Sequence, residues 1–219
     1  MKRICTALLL VVIASPVLAQ APTNEAVNAR LLVSARTGDD AGVERALAAG
    51  AAVNSRNRFG ETALIVALKR NQVAMAKRLI EAGTDVKQAA INGVTPLMAA
   101  AHVGNAEIVA LLLERGADPT PVDRVKKTAM IYAAGEGHTA VVKLLLGRGI
   151  DPNQRYDNDL TAMMWAAGGG HVQTVEALLA AGARADAKDN RGKTAQDIAR
   201  ETGHTATSER LAAAAAGKA

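Results

Sequence analysis

Two kinds of short apolar run alternate along most of the chain. One has the form Thr-x-Leu/Met-x-x-Ala-Ala, as at residues 95–101, and the other the form Val-x-x-Leu-Leu, as at residues 109–113. A turn with glycine or asparagine separates them. In both runs the apolar residues recur at helical spacing, so each run predicts a short helix with one apolar face. The chain is therefore expected to consist of helix pairs.

Three rows of identical residues keep a strict interval of 33 residues, which predicts a stack of equivalent helix pairs. The threonine row precedes the first helix of each pair: Thr62, Thr95, Thr128, Thr161 and Thr194. The alanine row lies within that helix: Ala67, Ala100, Ala133, Ala166 and Ala199. The glycine row follows the second helix: Gly50, Gly83, Gly116, Gly149 and Gly182.

One block matches a known repeat almost letter for letter. It comprises residues 95–100, Gly104, residues 109–113 and residues 116–118, and it resembles the ankyrin repeat; the resemblance extends over residues 24–215. It implies an all-α-dominated solenoid of about six 33-residue helix-turn-helix units with short β-hairpin tips. The units are placed at about 23–55, 56–88, 89–121, 122–154, 155–188 and 189–215, with residues 216–219 as a C-terminal tail. The first and last units are the more polar caps that such a stack requires.

Some positions depart from the common pattern of the units. Asn71 replaces glycine at the turn between two helices, which is tolerable because Asn accepts a left-handed backbone. Lys126 and Asp159 stand at the tip position that Gly60 and Gly93 occupy in earlier units. Because neither side chain favours a positive φ as glycine does, these two tips are expected to differ in shape from the standard turn.

The first nineteen residues form a predicted signal peptide. A basic start (Lys2, Arg3) precedes an apolar core, and small residues precede a cleavage point after Ala19. The apolar run is too short for a membrane span of about 20 residues. Residues 20–23 would be a short N-terminal segment, and the mature chain, without Cys5, would have no cysteine. The mature protein is expected in the periplasm or outside the cell, as a bacterial envelope protein without a stable membrane span.

Charge and composition argue against nucleic acid as the partner. Removal of Lys2 and Arg3 lowers the formal net charge from +5 to +3, which is a mild excess. Aromatic residues make up only 2% of the chain, so no platform for base stacking is expected.

Candidate chemistry is explained better by structure than by catalysis. His138, His171 and His204 recur at the 33-residue step, but equivalent positions of packed helices lie about 8–10 Å apart, too far for shared zinc. They are expected to form hydrogen bonds in the turns. The Gly168–His171 segment lacks the following Lys-Ser/Thr of a phosphate loop, and Asp157 with Asp159 shows no sign of acid–base work. No catalytic, cofactor or metal site is predicted, and the protein is not expected to be an enzyme.

A set of bulky residues on the first helices is expected to fill the core: Met98, Met130, Tyr132, Met163, Met164 and Trp165.

The resemblance to ankyrin repeats implies that another protein binds the tips and the concave face made by the first helices. Carried over position by position, the candidate contacts are Arg58, Phe59, Glu61, Lys69, Arg70, His102, Arg124, Lys127, Asp157, Asn158, Arg191 and Lys193. Phe59 could anchor an interface or pack against the first unit. The function expected is that of a monomeric adaptor or stabiliser of an envelope protein. Two alternatives stay open: a secreted effector or antitoxin-like binder of an extracellular or host protein, and a binder of an anionic envelope polymer.

Overall fold

The computed structural model describes residues 24–216, so the predicted signal peptide and residues 217–219 lie outside the described residues. Within that range the chain folds into consecutive α-helices with short connections, and the helices occur in pairs. The pairs are α1 (Asn24–Thr37) with α2 (Asp40–Ala48), α3 (Ala63–Lys69) with α4 (Val73–Glu81), α5 (Pro96–Val103) with α6 (Ala106–Glu114), α7 (Ala129–Gly135) with α8 (Thr139–Gly147), α9 (Ala162–Gly168) with α10 (Val172–Ala180), and α11 (Ala195–Glu201) with α12 (Thr205–Ala216).

The threonine row begins the first helix of five pairs, which we call the inner helices. The hydroxyl of Thr62 accepts the N–H of Ile65, and Thr95 accepts the N–H of Met98. The remaining three threonines cap their helices in the same way. Such a cap contributes about 0.5–2 kcal/mol. Pro96 occupies the first turn of α5, where its missing N–H costs nothing. The helix starts therefore follow directly from the sequence.

The stack forms because each helix pair packs against its neighbours in sequence. Each inner helix contacts the next one along the chain, and so do the outer helices from α4 onward. The five alanines of the alanine row have no exposed surface, and the buried apolar residues of all pairs join into one continuous core. The four predicted core methionines, Met98, Met130, Met163 and Met164, are buried as expected. No pair could cover its own apolar surface alone.

Left-handed backbone ends the helices where the sequence provides for it. Gly116, after α6, has φ of 82°, and Asn71, in the turn between α3 and α4, has φ of 53°. The tolerance expected of Asn71 is confirmed.

Five equivalent turns, which we call tips one to five, connect the pairs at residues 57–61, 90–94, 123–127, 156–160 and 189–193. In each tip the N–H of the first residue donates to the carbonyl of the fifth, at 2.9–3.0 Å. Tips one, three and five begin with Asn57, Asp123 and Asp189. A side-chain oxygen of each of these residues also accepts two backbone N–H groups of its own turn. Within residues 24–216 no regular strand flanks these turns, and only Arg56 and Thr62 pair as an isolated antiparallel bridge.

Lys126 does not give tip three a different shape, and that expectation is wrong. Lys126 adopts φ of 61°, and its N–H donates to Asp123 O at 3.0 Å, as Gly93 N–H does to Ala90 O at 2.9 Å. The closing bonds of the turn hold the lysine in the glycine conformation. For Asp159 the expectation holds. Asn158 is also left-handed (φ 58°), and residues Asp157–Asp159 form a short 3₁₀ turn.

Neighbouring tips are joined by backbone hydrogen bonds, except at one junction. Ile91 N donates to Phe59 O, Arg124 N to Asn92 O, and Asn190 N to Asn158 O, at 2.9–3.1 Å. In the part of the chain that the structure describes, no equivalent bond joins tip three to tip four. Gly60 and Gly93 explain the closeness of the first two junctions, because a Cβ on either would lie 2.9 Å from backbone of the next tip. Lys126 and Asp159 both carry a Cβ at that position, and only the junction after Lys126 lacks the bond.

Replacing Lys126 with glycine should stabilise the protein. A side chain in left-handed backbone costs about 1–2 kcal/mol, and the greater freedom of glycine in the unfolded chain offsets part of that gain. We expect Lys126→Gly to raise the free energy of unfolding by about 0.5–1 kcal/mol, measured by urea denaturation. The control is Gly93→Ala, which should destabilise because its Cβ meets Asp123 Cα at 2.9 Å. A loss of stability in Lys126→Gly would contradict the assigned strain.

Candidate partner-binding surface

The surface between the tips and the inner helices, which we call the concave face, carries one apolar position from each helix pair. This position lies four residues after the threonine register: Val33, Val66, Ala99, Tyr132, Trp165 and Ile198. Val66 and Ala99 are almost covered, but Val33 is 47% exposed and the last three are half-buried. Two grooves form along this face, one on each side of Ala99.

The first depression, which we call the N-terminal groove, has a volume of about 790 Å³ and is open to solvent. Its lining is formed by Ala29, Leu32, Val33, Arg36, Asn57, Arg58, Phe59, Glu61, Val66, Lys69 and Arg70. Five of the predicted contact residues therefore meet in one place. Phe59 is 56% exposed, and the Arg58 guanidinium carbon lies 4.7 Å from its ring centre. Of the two readings of Phe59, the structure favours a ring presented at the surface.

Among the described residues that line the N-terminal groove, Glu61 is the only carboxylate, and it already has hydrogen-bond partners. Its carboxylate accepts from Lys69 Nζ at 2.6 Å and from Asn57 Nδ2 at 2.8 Å. Burial works to raise the pKa of Glu61, but these hydrogen bonds and the charge of Lys69 outweigh it, so the pKa lies below its ordinary value. Glu61 stays ionised and neutralises Lys69, which leaves Arg36, Arg58 and Arg70 as the groove's net positive charge.

A smaller depression of about 330 Å³ continues from Phe59 along tips one to three. It adds Ile91, Asn92 and the predicted contact residue Arg124 to Arg58, Phe59 and Glu61. Ile91 is 53% exposed. The surface therefore combines a basic rim with exposed apolar side chains, a composition typical of contact surfaces.

The second depression, which we call the aromatic groove, has a volume of about 380 Å³. It lies between tips three to five and the inner helices α7, α9 and α11. Its lining is formed by Lys127, Ile131, Tyr132, Gly135, Glu136, Leu160, Met164, Trp165, Gly168, Gly169, Arg191 and Ile198. The Lys127 ammonium lies 4.6 Å from the Trp165 ring centre and 5.4 Å from that of Tyr132. Both rings attract the cation through their faces.

Tyr132 is fixed by a carboxylate at the base of tip three. Its hydroxyl donates to Asp123 Oδ2 at 2.5 Å, and Asp123 is only 5% exposed. Burial, the hydrogen bond to Asp123 and the negative charge of Asp123 all raise the pKa of Tyr132 well above its ordinary value. The ring is thereby held in a single orientation at the edge of the aromatic groove.

His102 borders the same groove. Its ring meets Tyr132 edge to face at 5.3 Å, and its Nδ1 lies 3.7 Å from Glu136 Oε1. The backbone carbonyl of His102 accepts a hydrogen bond from the turn histidine His138, whose Nε2 lies 2.9 Å away. His171 Nε2 lies 2.9 Å from Gly135 O in the same arrangement, so the structural role predicted for these two histidines is confirmed. The ring of His204 lies against Gly170, as the rings of His138 and His171 lie against Gly104 and Gly137.

Five predicted contact residues do not line either groove: Arg124 lines the smaller depression, and His102 contacts Tyr132 from outside the aromatic groove. Asp157 and Asn158 are exposed on tip four, and Lys193 forms an ion pair with Glu201 at 2.5 Å. Arg191 and Lys127, by contrast, both reach the aromatic groove. Of the twelve candidates, five line the N-terminal groove, two line the aromatic groove, and the other five lie elsewhere on the tips and inner helices.

The expectation that Tyr132 and Trp165 fill the core is wrong. Both pack against the core with one side and line the aromatic groove with the other. The sequence did contain a signal for this. Gly135 and Gly168 follow them by three residues, at the register where earlier units have Lys69 and His102. Where these longer side chains are missing, a large ring four residues after the threonine remains accessible.

The described residues contain no group of His, Cys, Asp and Glu side chains arranged to hold a metal ion. Among the same residues, no helix has the length and apolar character needed to cross a membrane.

The repeating pattern has a match among known families. The family model described as Ankyrin repeats (3 copies) matches the chain over residues 31–123, 74–156 and 130–218. The chain belongs to the ankyrin repeat family. No curated protein shows a significant match to it. Ankyrin repeats generally mediate protein–protein interaction, so the concave face of this ankyrin stack is the natural surface on which to look for a protein partner.

The hydrogen bond between Asp123 and Tyr132 should make the stability of the protein depend on pH in the alkaline range. Tyrosine ionises near pH 10 in unfolded chains. Because the pKa is raised in the folded protein, the stabilisation of neutral Tyr132 is complete below that pH and is lost as the pH rises above it. We expect Asp123→Asn to lower the pKa of Tyr132, since the amide keeps the turn acceptor, as Asn57 does in tip one, and removes the charge.

Ultraviolet titration in a Tyr156→Phe background tests this, because Tyr132 is then the only tyrosine. An unchanged pKa of Tyr132 in the Asp123→Asn protein would show that Asp123 does not hold the hydroxyl.

Proposed function

We propose that this ankyrin protein is an exported binding module that acts as an adaptor or stabiliser of another envelope protein. The observation that carries this is the concave face, where two grooves combine accessible aromatic rings with basic side chains. Aromatic and arginine side chains are the residue types that dominate interface energies. The partner contacts the tips and the inner helices, and the mature chain acts as a monomer.

The N-terminal groove and the adjoining tips supply the main anchors. Phe59 and Ile91 are more than half exposed at a place where the backbone is held by tip-to-tip hydrogen bonds. A rigid, exposed ring loses little conformational entropy when a partner covers it. Arg58 and Arg124 on the same tips add attraction for acidic groups.

In this proposal the chain consists of about six 33-residue units with hairpin tips. The first unit and the last unit serve as caps within an ankyrin domain at residues 24–215, and residues 216–219 form the tail. Residues 1–19 direct export, and residues 20–23 lead into α1. This arrangement is supported by the apolar run of the first residues and by the terminal positions of the α1–α2 and α11–α12 pairs.

Export is tested by expressing the full chain in a bacterium with an outer membrane. We expect the protein in the periplasmic or extracellular fraction, with the mass of a chain that begins at Gln20. The control is Ala19→Arg, which should block cleavage because the peptidase reads a small residue at that position. Uncleaved protein that remains in the cytoplasm would contradict export, whereas protein found in the medium would favour the secreted effector or antitoxin-like role.

Partner binding is tested by affinity capture from envelope extract with the chain from Gln20 to Ala219. We compare it with a triple variant, Phe59→Ala, Arg124→Ala and Lys127→Ala. Loss of an anchor typically costs about 2 kcal/mol or more, roughly a thirtyfold loss of affinity. A single dominant protein should be retained by the unchanged chain and lost by the triple variant.

The matched control changes the opposite side of the stack, with Lys143→Ala and Gln173→Ala on the exposed surface of α8 and α10. Equal loss in this control would place the binding surface on the outer helices. Retention of an anionic polymer with no protein, weakened by salt, would overturn the adaptor role in favour of the polymer alternative.

A further inference from the structure

The geometry points to the aromatic groove as a docking site for an extended segment of the partner protein in which an apolar side chain lies next to an aspartate or glutamate. This inference deepens the proposed function and rests on it. In that proposal the N-terminal groove anchors the partner. The aromatic groove would in addition bind one short segment of the partner selectively.

The size and lining of the aromatic groove suit one apolar side chain with the backbone on either side. Binding clefts have volumes of about 300–1,000 Å³ and mostly apolar walls with a few polar groups, and this groove has about 380 Å³. Tyr132, Trp165, Leu160 and Ile198 contribute its aromatic and aliphatic lining. Because the groove is open to solvent, a bound segment need not end within it.

Two glycines keep the groove accessible at the ends of α7 and α9. Gly135 and Gly168 occupy the register where Lys69 and His102 project side chains in earlier pairs. Neither glycine is required by the backbone, since neither has a positive φ. A Cβ on Gly135 would lie 3.6 Å from Trp165 Cε3, which is ordinary contact. The backbone at these positions would tolerate a side chain. Because glycine has none, the Trp165 ring stays accessible to a ligand.

The charges of the groove select an acidic neighbour for that apolar side chain. Arg191 is neutralised by the buried Asp189 at 2.7 Å, and Glu136 faces His102. Lys127 has no carboxylate partner within residues 24–216, and only the two ring faces hold its ammonium group. A charge-assisted hydrogen bond to a carboxylate is stronger than an exposed cation–π contact. An incoming carboxylate therefore draws Lys127 off Trp165 and frees the ring face for the apolar side chain.

A cationic segment fits this groove poorly. It would have to displace Lys127 from the rings and would still lie beside the ammonium group of Lys127. The same rings that could stack on a cation are already used by the protein's own lysine. The preference for acid over base is thus built into the groove.

Trp165 provides a direct readout, because it is the only tryptophan of the chain. The probes are three blocked peptides, acetyl-Asp-Leu-Asp-amide and its counterparts with asparagine or lysine in place of both aspartates. We expect the acidic peptide to change Trp165 fluorescence and to bind about tenfold more tightly than the asparagine peptide, the ratio expected for one charge-assisted hydrogen bond. Equal or tighter binding of the lysine peptide would overturn the inference.

Variants at two positions separate the role of Lys127 from that of the accessible Trp165 ring. Lys127→Gln should weaken the acidic peptide about tenfold and leave the asparagine peptide unchanged, while Lys127→Arg should retain the preference for acid. Gly135→Leu should raise the unfolding temperature, because leucine favours a helix more than glycine, and should abolish binding of all three peptides. Retained binding in Gly135→Leu would contradict a site over Trp165. Lys143→Gln is the control for a general loss of positive charge.

Envelope capture distinguishes failure of this inference from failure of the proposed function. If the unchanged chain and Gly135→Leu retain the same protein equally, the partner does not use the aromatic groove and the inference fails while the binding function stands. If no protein is retained and the acidic peptide does not bind, both fail.

Discussion

The structure depends on the close approach of neighbouring inner helices through alanine. Ala67, Ala100, Ala133, Ala166 and Ala199 have no exposed surface. A larger side chain there would push adjacent pairs apart and would separate the outer helices as well, since interiors are packed without spare volume. The spacing of the tips, and with it the width of both grooves, follows from this contact. Binding geometry is in that sense set by the smallest side chains of the protein.

The regular features of the fold could be predicted because each depends on residues within one unit and its neighbour. Thr62 caps its own helix, and Asn71 accepts the left-handed backbone that its turn requires. The accessibility of Tyr132 and Trp165 could not be predicted from helical spacing alone. It depends on whether side chains three residues farther along cover the rings, and Gly135 and Gly168 do not. The shape of tip three was also mispredicted, because turn hydrogen bonds outweighed the preference of Lys126.

The two grooves use their lysines in opposite ways. Lys69 donates to the partly buried Glu61, which also accepts from Asn57, so the charge of Lys69 is neutralised within the protein. Lys127 is held by aromatic faces that leave its charge uncompensated. The difference arises from Glu61, which has no acidic equivalent at Val94, Lys127, Leu160 or Lys193. Of the two lysines, the second is the one with a charge left to offer a ligand.

The missing backbone bond between tips three and four has a mechanical consequence. A backbone hydrogen bond of 2.9–3.1 Å joins tips one and two, tips two and three, and tips four and five. Bending the stack at any of these junctions would stretch that bond. Between tips three and four, in the part of the chain that the structure describes, bending stretches no such backbone bond, so this junction is the more compliant one. That junction lies between Lys127 and Leu160, in the wall of the aromatic groove. Changes in the curvature of the stack are therefore expected to act as changes in the width of this groove.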